Sequence, residues 1–431
     1  MDPLLVLTNI AIILLLGILC TVLAKKLKLS NILFLVLLGV ILGRIITDGE
    51  PIFQFEGSFL VAIGILALVM IIFDGASRFR LREIDKLSVM SLRMIGYFLL
   101  FTVLTITYLT NVLFFANVNI QNILFSIVFA VIVVGTDPGS VFVMLKDFVS
   151  ERAKKVLGLL QIEAIINTPL IVVIPFLLLD IINNISLGQE NFITSFIMQI
   201  PAFIAQIIVG VGAGVVVGLI VFKTMKNFYS HDLSPVGIIT AALLAYILAE
   251  NLKGNGVLAV ATLGLMFGNL YVKEKVQLQE FSYMLSNILE ILVFVMVGLM
   301  ISFPLTKVFF FKSFLLFAFL VLSRAASVFI ALRDEDFTFK EKLFISLNMP
   351  KGIAVAVVAF TLSLYEAEQM GVMLSLILIF VLYSLILSSI VDRFSKYFIR
   401  VDVKSETAEQ IPHAKLKKQP KAKEEPKPKI P

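Results

Sequence analysis

Long apolar segments recur along this chain from one end to the other. Each holds about 17 to 28 residues, which at a rise of about 1.5 Å per residue lets a helix cross the hydrocarbon core of a bilayer. Hydrophobic residues make up 59% of the 431 residues and charged residues only 15%, a balance beyond what a water-soluble core of this length could bury. Alternating segments of about ten residues would instead indicate a transmembrane β-barrel. The sequence therefore predicts an all-α polytopic membrane protein.

The apolar segments predict about thirteen membrane-spanning helices. We expect the first segment to be a retained helix, because no basic residue precedes its apolar run and no small-residue cleavage site lies before Lys25. The approximate spans are 4–23, 31–47, 57–75, 90–113, 119–145, 154–179, 195–222, 234–251, 256–272, 281–302, 308–331, 341–364 and 370–395.

Basic residues gather in every second connection between these spans. Lysines and arginines are dense around Lys25, Arg78, Arg152 and Lys273, whereas the intervening connections hold few of them. By the positive-inside rule, the N-terminus lies outside and the C-terminus lies in the cytoplasm, which requires an odd number of spans. We therefore expect a multi-pass protein of the cell membrane.

The chain divides into one large membrane domain and a short tail. Residues 1–400 contain all the predicted spans, whereas residues 401–431 are rich in Lys, Pro and Glu and cannot form a packed core. We expect this tail to be a disordered, basic, cytoplasmic segment for which membrane lipid is a candidate contact. The formal net charge of +6 follows from the topology and the tail, so no nucleic-acid partner is expected.

Four ionisable residues lie inside the apolar segments, namely Asp137, Glu163, Arg324 and Lys351. Each is nine residues from the nearest basic residue on the predicted cytoplasmic side, which corresponds to roughly 13 Å of helix and places all four near the middle of the bilayer. Charges at that depth are costly. They mark either structural ion pairs between helices or the pathway of an ion or proton.

Two of these charges are surrounded by helix-breaking residues. Asp137 lies in the stretch GTDPGS at 135–140, and Lys351 lies between Pro350 and Gly352, so we expect both helices to be interrupted. Interrupted backbone at membrane depth is typical of a transporter's binding site, where its carbonyl groups face a cation. The two segments occupy corresponding places in two halves of the chain, which predicts six-helix inverted repeats joined by the seventh span.

Taken together, these segments resemble the monovalent cation/proton antiporter superfamily, in particular its NhaP-like sodium/proton exchanger branch. The resemblance covers most of residues 5–395 in helix order. It implies an NhaA/NhaP-like antiporter fold with crossing discontinuous helices, core and dimerisation subdomains that are interleaved, and a homodimer. The motifs that carry it are Thr136-Asp137-Pro138 in the fifth span, Glu163 through Asn167-Thr168-Pro169 in the sixth, Arg324 in the eleventh and Pro350-Lys351-Gly352 in the twelfth.

The resemblance implies that the chain exchanges a monovalent cation for H⁺ by alternating access. Na⁺ is the expected cation, with Li⁺ and K⁺ as alternatives. Asp137 would be the carboxylate that binds the cation and the proton, with Thr136 supplying an oxygen atom nearby. Asn167 matches the asparagine associated with electroneutral exchangers and is counted with the cation-binding residues.

The other charges of the set have structural roles by the same resemblance. Glu163 and Arg324 would form the family's structural ion bridge between two helices. Lys351 would offset the dipoles of the interrupted helices where their ends face one another.

The sequence departs from the family at Thr168, where the sixth span normally carries a second ion-binding carboxylate. A hydroxyl group can offer an oxygen atom to a cation, but it neither carries the charge nor takes up the proton. One explanation is that Asp137 acts alone as the Na⁺ ligand that carries charge, with Thr168 completing the shell. Another is that the chain has changed its cargo to K⁺ or has lost transport.

A third explanation is that an auxiliary acid replaces the missing carboxylate. Asp74, near the inner end of the third span, is one candidate, although an interfacial acid paired with Arg78 or Arg80 is the interpretation we favour there. Glu290 in the tenth span is the other candidate, and a hydrogen bond between helices explains it equally well.

Other functional classes have less support in the sequence. A cation channel would also place charges at mid-membrane, but the chain has neither a selectivity-filter motif nor an arginine series. We expect neither an enzyme nor a cofactor, because the two histidines, His231 and His413, lie in a loop and in the tail. No ATP-binding motif is present in the sequence, so ion gradients would drive transport.

Overall fold

The structure is a computed structural model that describes most of the membrane domain. The described residues are 3–27, 31–47, 50–53, 55–78, 84–115, 119–137, 151–186, 192–227, 230, 232–301, 306–365, 367 and 369–399. The second half of the fifth predicted span, the tail at 401–431 and both histidines lie outside these ranges.

Helices account for nearly all of the described chain, and a two-residue antiparallel pairing of β1 (Ile46–Thr47) with β2 (Glu50–Pro51) follows the second helix. Every predicted span corresponds to a helix, or to a pair of helices in the case of the twelfth, which confirms the predicted fold class. The helices are α1 (Pro3–Leu27), α2 (Asn31–Leu42), α3 (Gly57–Ser77), α4 (Ile84–Thr110, continued by a π-helical turn at Asn111–Phe115), α5 (Ile120–Ile132), α6 (Glu151–Ser186), α7 (Phe192–Asn227), α8 (Leu233–Asn251), α9 (Gly256–Asn269), α10 (Lys275–Met300), α11 (Lys307–Ala331), α12 (Phe339–Leu347), α13 (Ile353–Leu362), α14 (Met370–Arg393) and α15 (Ser395–Phe398).

Length and composition separate the helices into two kinds. Among the described residues, nine helices are long and apolar enough to cross a membrane, and α2, α5, α9 and α13 are shorter apolar helices. Two of the shorter helices, α5 and α13, belong to the spans for which the sequence predicts interruptions.

Side-chain caps fix where several helices begin. Asn119, Asn255, Thr306 and Thr338 each accept a hydrogen bond from the backbone N–H group three residues later, at the starts of α5, α9, α11 and α12. Thr338 also forms a capping box, because the Glu341 carboxylate accepts the Thr338 N–H at 2.7 Å. These bonds satisfy donors that would otherwise be left open at a helix start.

Helical structure stops near the middle of both the fifth and the twelfth predicted spans. Residues 348–352 are not helical and separate α12 from α13. Residues 135–137 are likewise non-helical after α5, which ends at Ile132, five residues before Asp137 and ahead of the predicted breaker Pro138. The backbone N–H group of Asp137 donates to the carbonyl of Pro350 at 2.9 Å, so the two interruptions cross in contact.

Packing sorts the helices into two groups. One group contains α4, α5, α6 and α11, which contact one another, with α12 and α14 beside them. The other contains α2, α3, α7, α8, α9 and α10, with α1 packed on α2 and α10. Helix α13 contacts both groups, since it packs on α3 and α10 as well as on α6 and α14. We call these groups the core layer and the scaffold layer.

Glycines bring backbones of the scaffold layer into direct contact. A Cβ atom at Gly39 of α2 would lie 2.7 Å from the Cα of Gly298 in α10 and would also overlap the Val295 carbonyl. Gly210 of α7 is similarly close to Asn255, at the start of α9. Small residues at such contacts let membrane helices approach closely, which is where the packing energy between them arises.

The α2–α10 contact predicts that Gly39→Ala lowers thermal stability. The new methyl group meets backbone atoms that have no rotamers to change, and overpacking of this kind costs about 1–3 kcal/mol. We expect a clear fall in the melting temperature of the purified protein, measured by size-exclusion chromatography of heated detergent samples. Gly96→Ala on α4 is the control, because a Cβ there meets nothing within 4 Å. Equal melting temperatures for Gly39→Ala and Gly96→Ala would contradict the packing argument.

Candidate functional site

Asp137 lies in the interruption that follows α5. The residue is 3% exposed, and the Asp137–Pro350 hydrogen bond fixes its backbone against the α12–α13 break. Because a non-helical segment leaves backbone groups without helical partners, this bond satisfies one donor and one acceptor that the membrane interior could not hydrate. The Asp137 carboxylate is therefore presented from backbone that is bonded to the α12–α13 break.

Gly352 allows the Asp137 carboxyl group to approach the start of α13. A Cβ atom at position 352 would overlap the Oδ1, Cβ and Cγ atoms of Asp137, so no larger side chain fits there without a shift of the backbone. Gly352 is also the N-cap residue of α13. The carboxylate thus lies at a helix N-terminus, where the partial positive charge of the helix stabilises an anion.

Neutral polar side chains of Thr136 and Asn167 meet beside Asp137. The Asn167 side-chain amide donates to the Thr136 hydroxyl at 2.8 Å and ties α6 to the interruption after α5. The Asn167 Oδ1 atom is buried and has no hydrogen-bond partner among the described residues. Buried polar atoms are nearly always paired, so this oxygen is available to a cation or to water.

Thr168, the next residue of α6, is fully buried. Its hydroxyl donates to the Ala164 carbonyl of its own helix at 2.6 Å. The hydroxyl proton is therefore engaged, and the group can offer a ligand only the acceptor capacity of its oxygen. Among the described residues, position 168 brings no charge to the site.

Glu163 and Arg324 form a bidentate ion pair between α6 and α11. The Arg324 Nη2 atom donates to Glu163 Oε2 at 2.5 Å, and Nη1 donates to Oε1; both side chains are fully buried. The Arg324 guanidinium also lies over the ring of Phe98 on α4, 4.9 Å from its centroid. The paired charges cancel, and the pair ties three helices of the core layer together.

Lys351 is the fourth predicted charge, and it lies in the α12–α13 break. Its side chain is fully buried, and Nζ has no hydrogen-bond partner among the described residues. Nζ lies 5.9 Å from the centroid of the Phe98 ring, and Arg324 and Glu163 are within electrostatic range. The backbone N–H of Lys351 donates to the Ser384 hydroxyl at 3.0 Å, which links the break to α14.

The two predicted auxiliary acids differ in their surroundings. Asp74 forms an ion pair with Arg78 at 2.9 Å near the end of α3, and Arg78 also donates to the Gln279 carbonyl of α10. Glu290 lies midway along α10, within electrostatic range of Asp137. The structure thus gives Asp74 an interfacial partner and places Glu290 near the site.

The sequence did not single out Phe98 or Ser384 as parts of the site. Phe98 is one of 38 phenylalanines, and no local motif distinguishes it from the rest. Ser384 is one of four serines in the apolar helix α14, and no local motif distinguishes it from the others. Both become recognisable only when the break at Lys351 is packed against α4 and α14.

A cavity of about 400 Å³ opens between the two layers on the side of the α8–α9 connection. Its walls come from α6 and α13 on one side and from α3, α7 and α8 on the other. Polar groups at Gln206, Glu250 and Asn255 line part of it.

Comparisons with known proteins agree with this geometry. The profile of the family described as Sodium/hydrogen exchanger, transmembrane, matches residues 10–393. Na(+)/H(+) antiporter 1 of Methanocaldococcus jannaschii is 24% identical over 396 residues, which cover 84% of each chain. The K(+)/H(+) antiporter NhaP of Alkalimonas amylolytica is 24% identical over 292 residues, covering 68% of this chain and 49% of that relative.

A solved structure shares the fold. The structure of the sodium proton antiporter MjNhaP1 from Methanocaldococcus jannaschii at pH 8 superimposes with a TM-score of 0.76 at 21% identity. The superposition covers 92% of this chain and 98% of that one. The likeness confirms the fold that the sequence predicts.

The Glu163–Arg324 geometry predicts that removing one partner destabilises the core layer more than removing both. Glu163→Leu leaves a buried guanidinium without its carboxylate, which costs about 3–5 kcal/mol, whereas a double replacement by apolar residues removes the uncompensated charge. We expect the melting temperature of Glu163→Leu to fall well below that of Glu163→Leu/Arg324→Met. Asp336→Asn is the control, because it breaks a contact with Arg152 in which the Asp336 side chain is 82% exposed. A single variant as stable as the double one would contradict the prediction.

Proposed function

Because this chain belongs to the sodium/hydrogen exchanger family, we propose that it exchanges Na⁺ for H⁺ across the cell membrane by alternating access. The family is one of transporters and not of enzymes. The observation that carries the proposal is the placement of Asp137 in crossing, non-helical backbone between the layers, at the start of α13. A carboxylate there can bind either a proton or a monovalent cation.

Oxygen atoms around Asp137 provide the rest of a cation shell. Thr136 supplies a hydroxyl oxygen, Asn167 supplies its unpartnered Oδ1, and Thr168 supplies an acceptor oxygen one residue further along α6. Hard cations such as Na⁺ prefer carboxylate, carbonyl and hydroxyl oxygens of this kind. We assign these four residues to the cation- and proton-binding site.

Competition between the proton and the cation at Asp137 would couple their movements. A proton neutralises the Asp137 carboxylate, and so does a bound cation, whereas the empty carboxylate is an exposed charge that is costly to carry through a dry membrane interior. The loaded forms therefore cross readily, and the empty form does not. This constraint favours exchange over leak.

The remaining charges hold the site. Glu163 and Arg324 would act as a brace within the core layer, because their mutual contact occupies both groups. Lys351 would balance the dipoles where the interrupted helices meet, and its buried ammonium adds positive charge at the same depth. Because Asn167 matches the asparagine associated with electroneutral exchangers, we expect the exchange to be electroneutral.

The proposal includes an arrangement for the whole protein. The core layer would move against the scaffold layer, with the two subdomains interleaved along residues 1–400. The scaffold layer would face a second copy in a homodimer, and membrane lipid would cover the exposed apolar side chains of α1 and α7. The N-terminus would lie outside, and the C-terminus, with the tail at 401–431, would lie in the cytoplasm.

Asp137→Asn should abolish cation-dependent proton movement in reconstituted vesicles, because the amide can neither take up the proton nor neutralise the cation. The assay imposes a pH gradient on proteoliposomes and records its collapse when Na⁺, Li⁺ or K⁺ is added, with and without a clamped membrane potential. We expect wild-type collapse with Na⁺ that is insensitive to the clamp and, for the variant, the rate of protein-free vesicles.

Asp334→Asn is the matched control, because Asp334 is exposed in the connection after α11 and its exchange should stay at the wild-type rate. Undiminished exchange in Asp137→Asn would overturn the assignment of the carboxylate. Collapse with K⁺ alone would replace Na⁺ by K⁺ as the substrate, and a cation current without proton movement would indicate a channel.

A further inference from the structure

We propose that Glu290 of α10 supplies a second carboxylate to the cation site, so that the site is shared between the core layer and the scaffold layer. The inference rests on the proposed exchange function and names one more residue that binds its substrate. Three observations carry it: the balance of charge around Asp137, the face of α10 on which Glu290 lies, and unpartnered polar atoms on that face.

The charges in the core layer do not favour a cation. Asp137 and Glu163 are acids, Arg324 and Lys351 are bases, and all four are buried close together. With every group ionised the set is neutral, so a bound monovalent cation would leave one uncompensated positive charge in a medium of low dielectric constant. Such a charge is costly. One further carboxylate within range makes the loaded site neutral.

Among the described residues, Glu290 is an acid in the right place to supply that charge. It lies within electrostatic range of Asp137. The helix that carries it packs directly on α13, whose first turn holds the Asp137 carboxyl group. Since α10 belongs to the scaffold layer, Glu290 would bring its charge from outside the core layer that carries Asn167 and Thr168.

The face of α10 that carries Glu290 is polar toward the predicted cytoplasmic end. Ser282 and Ser286 precede Glu290 at intervals of four residues, so the three side chains lie on one side of the helix. Both serine side chains are buried, and neither hydroxyl has a hydrogen-bond partner among the described residues. Since such hydroxyls are usually paired, the stripe has unused capacity for water or for a cation beside Glu290.

Thr168 of the core layer does not supply the second carboxylate. Its side chain carries no charge, and its hydroxyl donates a hydrogen bond to the Ala164 carbonyl. A carboxylate introduced at position 168 would lie next to Asn167 and hence close to Thr136. An aspartate there should therefore substitute for Glu290.

Cation binding by the purified protein tests the inference without requiring transport. The readout is the Na⁺ concentration that gives half of the maximal rise in melting temperature in detergent at fixed ionic strength. We expect Glu290→Gln to raise this concentration at least tenfold, because the amide keeps the shape of the side chain and removes its charge. Glu290→Asp, which keeps the charge, should stay nearer to the wild type than Glu290→Gln does.

Two further variants make the result specific. Glu280→Gln removes an exposed carboxylate from the same helix and should leave the half-maximal concentration unchanged. Thr168→Asp combined with Glu290→Gln should recover Na⁺ binding, because it restores the second charge from α6. Recovery would support the inference even if Glu290→Gln alone were too unstable to purify.

A half-maximal Na⁺ concentration for Glu290→Gln within twofold of the wild-type value would overturn the inference. That outcome differs from failure of the proposed function, which would appear as an absence of cation-dependent proton movement in wild-type vesicles. A wild type that exchanges Na⁺ for H⁺, with Na⁺ binding that is indifferent to Glu290, would leave Asp137 as the sole carboxylate of the site.

Discussion

The hydrogen bond from the Asp137 amide to the Pro350 carbonyl is the contact on which the site depends. Two interrupted helices place backbone donors and acceptors at a depth where no water can satisfy them, and each interruption supplies what the other lacks. Without the crossing, neither break would be tolerated. With it, the Asp137 carboxylate, the Lys351 ammonium and the N-terminus of α13 are all held within one small region.

Around this crossing, the charges are arranged in two unequal sets. Glu163 and Arg324 form a bidentate ion pair that braces α6 against α11, and the guanidinium lies over the ring of Phe98. Asp137 and Lys351 lie in the non-helical breaks themselves, where backbone N–H and C=O groups lack helical hydrogen bonds. In the proposed mechanism, the first pair would stiffen the core layer, and the second would bind and balance the transported charge.

Much of the fold could be predicted from the sequence because a membrane imposes a length on each apolar segment. Thirteen spans, their order and the interruption in the twelfth follow from hydropathy and from Pro350 and Gly352. The end of α5 at Ile132 could not be predicted from Pro138, since the non-helical stretch begins earlier and leads to the contact between Asp137 and Pro350. Local breakers predict that a helix ends but not at which residue, because the tertiary contact decides that.

The site residues divide in the same way. Acids and bases in apolar segments are conspicuous in a sequence, so Asp137, Glu163, Arg324 and Lys351 could be singled out. Phe98 could not be singled out, because the sequence does not show that a guanidinium packs on this phenylalanine and not on another. The partner of Asp74 was one of two nearby arginines in the sequence, and only the helical geometry of α3 brings Arg78 against it.

The contact between Gly39 and Gly298 has a consequence for movement. Two helices that touch backbone to backbone have no side chains between them that could change rotamer, so α2 and α10 shift together or not at all. The helix that carries Glu290 would therefore stay in place relative to α2. The distance from Glu290 to Asp137 would then change only when the core layer moves. In the proposed exchange cycle, the distance between Glu290 and Asp137 would therefore report the position of the core layer. A cation held between the two carboxylates would pull the layers together, and its departure would let their mutual repulsion push them apart.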